Sequence, residues 1–121
     1  MHVVTEAEPA ELSALDVCRQ AGITYRQLDY WCRIGAITPA RQANGSGTQR
    51  RFTNGQARAI RLAVTLRNLG APMTAIGAVA GRWADMPEHK WSGTLIVNHD
   101  GTGEPARAGW IVDLDALADT A

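Results

Sequence analysis

Lysine is nearly missing from this chain: Lys90 stands alone against eleven arginines. Genomic base composition accounts for that choice of cation as readily as chemistry does. Cysteine is scarce as well. Cys18 and Cys32 have no CxxC spacing and no close histidine, and His2, His89 and His99 are scattered, so no metal or redox role is expected. Each cysteine falls on the apolar side of a predicted helix, where a thiol behaves as a small hydrophobe. No apolar run approaches the ~20 residues that a bilayer span needs. The opening MHVVTEAEPAE is acidic and lacks the basic start and apolar centre of a signal peptide. A cytoplasmic chain without membrane attachment is therefore expected. Also lacking are a Ser-His-Asp set, GxSxG, a phosphate loop, HExxH and a dinucleotide fingerprint. No enzyme and no cofactor is implied, and the acids at 113, 115 and 119 read as a solvated tail.

Acids are missing from the middle of the chain, and base composition does not explain that. Residues 17–82 hold ten arginines (19, 26, 33, 41, 50, 51, 58, 61, 67 and 82) against Asp29 alone. Residues 1–16 carry Glu6, Glu8, Glu11 and Asp16 with no cation, and residues 83–121 set seven acids against Lys90 and Arg107. The formal net charge of zero thus conceals a basic block between acidic flanks. Such a block suits a polyanion, and nucleic acid is the first to consider. The competing reading is a solvated basic surface with no partner.

What is present is helix punctuation. Ser13 with Asp16, Thr24 with Gln27, and Thr53 with Gln56 each have capping-box spacing. The pairs Leu12/Val17, Ile23/Leu28 and Phe52/Ala57 flank those boxes as hydrophobic staples. Gly22, Gly35 and Gly70 supply stops. The predicted helices run over 13–21, 25–34 and 54–69. A fourth has Pro72 in its first turn and reaches Asp85, and Pro87 closes the helical region. Only Gly22, Ile23 and Thr24 separate the first two helices, a helix-turn-helix signature. In the second, Leu28, Trp31 and Cys32 share one face, predicted to pack on the first helix. Tyr25, Arg26, Asp29, Tyr30 and Arg33 share the other.

Between the second and third helices, AITPARQANGSGTQRRF reads as a two-stranded wing over 37–52 with a Gly/Ser tip. A plain connecting loop gives no reason for Arg41, Arg50 and Arg51. Beyond Pro87, the β-rich runs at Leu95–Val97 and Trp110–Val112 flank a glycine-rich loop and read as a hairpin. A last half-turn of helix follows at Leu114–Ala118. The expected fold is mainly α with small β: about four helices and a wing, then a C-terminal β-hairpin. Its expected division is an acidic tail over 1–12, a winged helix-turn-helix over 13–86 and a hairpin appendage over 87–121.

Four stretches carry a resemblance: TYRQLDYWCRIG (24–35), TPARQ (38–42), GSGTQRRFT (45–53) and LRNLGAPMTAI (66–76). Together they closely resemble the winged helix-turn-helix DNA-binding domain of MerR-type transcription regulators, over about 13–84. The resemblance implies a DNA-binding regulator, usually a homodimer on an inverted repeat that it bends or twists. It places Thr24, Tyr25, Arg26, Tyr30 and Arg33 on the recognition helix and Arg41, Arg50 and Arg51 on the wing. Ser46 and Gln49 of the wing join them as candidate DNA contacts. Two departures accompany it. The long pairing helix that usually follows the fourth helix gives way to Pro87 and the hairpin. The cysteines that metal-sensing members carry in that region are missing, so metal sensing is not implied.

These readings assign double-stranded DNA as partner, with the second helix in the major groove and the wing on flanking backbone or minor groove. Arg26 is the first choice for a base edge, because Arg bonds guanine O6 and N7 together. The C-terminal segment is a candidate dimer or partner surface through Trp91, Leu95, Val97, Trp110 and Val112, with Trp83 as a further anchor. The alternative for these tryptophans is simply to cover a small core. Two other functions fit the same residues: an excisionase-like architectural DNA-bending factor, and an adaptor or antitoxin-like subunit whose basic face meets an acidic protein.

Overall fold

The computed structural model describes residues 12–40, 50–98 and 109–117. The expected capping chemistry sets the helix starts. In α1 (Ala14–Ala21), Ser13 Oγ accepts from the Asp16 N–H at 3.1 Å, and Asp16 Oδ2 accepts from the Ser13 N–H at 3.1 Å. In α2 (Tyr25–Arg33), Thr24 Oγ1 accepts from the Gln27 N–H at 3.1 Å. α3 (Asn54–Asn68) opens with a full Thr53/Gln56 box. Pro72 sits one position outside α4 (Met73–Trp83), as its N-cap, so the helix is shorter at both ends than predicted.

The stops follow the glycines. Gly35 at φ +82° and Gly70 at φ +94° adopt the left-handed conformation that a residue with a Cβ rarely enters. Each lets two N–H groups turn back. Gly35 and Ala36 donate to the carbonyls of Cys32 and Trp31, and Gly70 and Ala71 donate to those of Arg67 and Leu66.

Two small antiparallel sheets complete the fold. The strand β2 (Arg51–Phe52) pairs with β1 (Leu12–Ser13), in register Leu12↔Phe52 and Ser13↔Arg51. Of the expected wing, residues 38–40 form no strand and Phe52 finds its partner ahead of α1. The reason is burial. Phe52 is fully buried beside α1 and α3, and crossing to Leu12 keeps its backbone hydrogen-bonded there. The tip residues 41–49 lie outside the described residues.

The second sheet is the expected hairpin, β3 (Thr94–Asn98) with β4 (Gly109–Asp113), followed by a 3-10 turn at Leu114–Leu117 in place of an α-helical half-turn. Pro87 opens a further 3-10 turn, Glu88–Lys90, where an end to helical structure was expected. β3 packs on α4, and β4 and the last turn pack on α3. Trp91, Val97, Val112, Leu114 and Leu117 join Val17, Leu28, Trp31, Phe52, Ile60 and Leu66 in one continuous buried cluster. The boundary expected at 86/87 therefore falls inside a shared core. Among the described residues no helix is long and apolar enough to cross a membrane.

Candidate nucleic-acid interface

The α2 helix divides as its sequence pattern requires. Leu28, Trp31 and Cys32 are buried, and Tyr25, Arg26, Tyr30 and Arg33 are exposed on the opposite side. Thr24, also exposed, caps the end at which the first turn's N–H groups converge. Burial pushes the Cys32 thiol up to about 11 and raises that of Cys18, so both behave as small apolar groups. Among the described residues no cluster of three or more potential metal ligands occurs.

Asp29 lies among the exposed cations of α2 and engages two arginines, one on α2 and one just ahead of β2, with separate oxygens. Its Oδ1 accepts from Arg50 Nη1 at 2.8 Å, and its Oδ2 pairs with Arg33 Nε at 2.9 Å. The Arg50 hydrogen bond, joined by the nearby Arg33 charge, holds the Asp29 carboxyl below the usual carboxylate range. The two arginines differ in setting. The Arg33 side chain is 67% exposed and that of Arg50 13%.

Arg50 was expected to contact DNA directly. It is instead turned inward onto Asp29, because residue 50 leads into β2 where the chain closes over the core. Arg51, half-buried in β2, lies close enough to Asp16 to lower its carboxyl, behind the larger effect of the Ser13 hydrogen bonds. Arg41, Ser46 and Gln49 lie outside the described residues. The stretch leading toward them is fastened by Gln56. Its Oε1 accepts from Ala40 N–H at 3.0 Å as well as from Thr53, and its Nε2 donates to the Thr38 carbonyl at 2.8 Å. Sequence reasoning gave Gln56 only the capping role.

The basic block does not form one face. Arg58 is 4% exposed, with its guanidinium 5.6 Å from the centre of the Trp91 ring. Arg61 donates to the Leu117 carbonyl at 3.1 Å and to Gln20 Oε1 at 2.9 Å, tying the last turn to α3 and α1. Arg67 lies 5.7 Å from the centre of the Trp31 ring. One signal in the sequence could have exposed this: Arg58, Leu62 and Leu66 recur at helical spacing, a stripe that faces inward.

The expected partner surface is also corrected. Trp91, Val97 and Val112 are buried, and Leu95 and Trp110 are half-buried against the same core. Trp91 meets Trp83 edge to face, with ring centroids 4.9 Å apart. Trp110 Nε1 donates to the Leu69 carbonyl at 3.2 Å, satisfying the end of α3. The hairpin's outward residues are Ile96 and Ile111, directly paired across the strands and 65% and 71% exposed.

Residues 12–81 match the family model described as MerR HTH family regulatory protein. Proteins described as uncharacterized HTH-type transcriptional regulators, from Mycobacterium bovis and from two strains of Mycobacterium tuberculosis, are 57% identical to this chain over 37 residues. That stretch covers 30% of this chain and 16% of each relative. No solved structure matches significantly.

Proposed function

This chain belongs to the MerR helix-turn-helix family of regulatory proteins, and from that premise we propose that it is a sequence-specific double-stranded DNA-binding protein that regulates transcription. The observation carrying the proposal is the exposed quartet Tyr25, Arg26, Tyr30 and Arg33 on a helix whose reverse side is buried. The α2 helix enters the major groove. Arg26 reads a guanine edge through a bidentate contact. Thr24, Tyr25 and the first-turn N–H groups engage phosphate at the helix start. Tyr30 and Arg33 hold the neighbouring backbone. Arg41 and Arg51 serve the flanking backbone or minor groove, and Arg50 acts from within the protein.

If about four phosphates are neutralised per protomer, log affinity falls against log salt with a slope of about −3.6. Selection of bound duplexes with the purified chain, followed by gel shift of the selected site, tests the reading. Arg26→Ala should weaken the selected site by about 1–3 kcal/mol and relax its sequence preference. Unchanged binding by that variant would remove α2 as the reader. Failure of the full chain to retain any duplex at low salt would remove DNA as the ligand. Genomic footprints within promoter spacers support regulation, whereas phased sites at a recombination locus would assign the architectural role.

A further inference from the structure

The only acid among residues 17–82 is Asp29, and it sits on the exposed, cationic side of α2. A carboxylate there repels the very polyanion that the surrounding arginines attract. The exposed i,i+4 pair Asp29–Arg33 contributes only about 0.3–0.5 kcal/mol, so the structural weight of Asp29 falls on its bond to the mostly buried Arg50. What distinguishes Asp29 is that each oxygen holds a different arginine, at 2.8 Å and 2.9 Å, and one of them, Arg50, lies 21 positions away in the chain. Arg50 is the residue immediately before β2, so this bond fixes where the chain entering β2 meets α2. Arg33, exposed and long, otherwise loses about 2 kcal/mol of rotamer freedom on meeting a phosphate.

We propose that Asp29 is a positioning residue that locks the chain entering β2 to α2 through Arg50 and holds Arg33 ready for the DNA backbone. The proposal rests on the DNA-binding reading above for its consequence, and on the two ion pairs for its geometry. It has a sign opposite to simple electrostatics. Asp29→Asn removes a negative charge from the interface, and charge alone then tightens binding to every duplex. Loss of positioning instead weakens the selected site while leaving random duplex unchanged or slightly tighter.

Asp29→Asn, Asp29→Glu and Arg50→Met are compared with the unaltered full chain by gel shift on the selected site and on random duplex, alongside amide exchange of residues 50–52 without DNA. In Asp29→Asn and Arg50→Met the ratio of selected to random affinity falls about tenfold, read at a temperature well below the melting of either variant. Asp29→Glu recovers part of that ratio, and the double variant Asp29→Asn/Arg50→Met is no worse than either single change. Amides 50–52 exchange faster in Asp29→Asn. Equal or tighter binding of the selected site by Asp29→Asn overturns the proposal. So does a lost preference confined to one base pair, which would make Asp29 a reader of cytosine. If the unaltered chain binds no duplex, the DNA reading fails by itself, and unchanged exchange at 50–52 is then the result that overturns the lock.

Discussion

The two ends of this molecule use arginine in opposite ways. Around α2, Arg26 and Arg33 face solvent and the acid beside them arranges cations. Around the C-terminal hairpin, Arg58 and Arg61 face inward, one over the Trp91 ring and one on the Leu117 carbonyl, holding the hairpin and the last turn to α3. Arginine allows both because its stem covers apolar surface while its planar head meets either an aromatic face or an oxygen. A run of like charges in a sequence therefore states how many cations are available, without stating which of them reach a partner.

The largest effect separating the two ends is predicted at Trp91. Trp91→Ala opens a cavity beneath the hairpin and removes the platform under Arg58. It should cost about 3–5 kcal/mol in urea unfolding, while the folded fraction keeps its DNA affinity. A matched loss of DNA preference in that variant at native stability would break the comparison. Next is Arg61→Met, which should cost about 1–3 kcal/mol and speed amide exchange in the last turn, again without changing DNA binding. Thr24→Ala sharpens the comparison from the other side. It removes the α2 cap at a cost of about 1 kcal/mol and also lowers DNA affinity.

Acid should loosen the α2 end through Asp16 and Asp29. Both carboxyls lie below the usual value of 3.8 in the folded protein. Their contribution is fully present above that value and is lost as pH falls through the depressed folded values. An NMR titration from neutral pH to pH about 2 reads this as loosening at the start of α1 and at residues 50–52, and Asp29→Asn removes the second response. The smallest effect concerns the thiols. Cys32, pushed up to about 11, should react slowly with a thiol reagent near pH 7 until the protein unfolds.

Much of the α2 end was legible because its determinants are local. A hydroxyl three residues before a carboxyl or amide, and a glycine one helix later, fix starts and stops within a single turn. The β1–β2 pairing was not legible. Strands of two residues have no alternation to read, and Leu12 meets Phe52 only once the core forms. The hairpin's existence was legible but its facing was not. Leu95-Ile96-Val97 and Trp110-Ile111-Val112 are apolar throughout, so nothing in the pattern marks Val97 and Val112 as inward and Ile96 and Ile111 as outward. The bond from Arg50 to Asp29 was hidden for another reason. A charge reveals its sign from sequence, whereas its partner across 21 positions is set by tertiary closure.

Because the buried cluster beneath α2 includes Val112, Leu114 and Leu117, α2 is synthesised well before part of the core it belongs to. The ribosome releases α2 early and Val112, Leu114 and Leu117, which share its buried cluster, late. A nascent chain still missing that final stretch carries every exposed side chain of α2 and lacks the interior that keeps them in place.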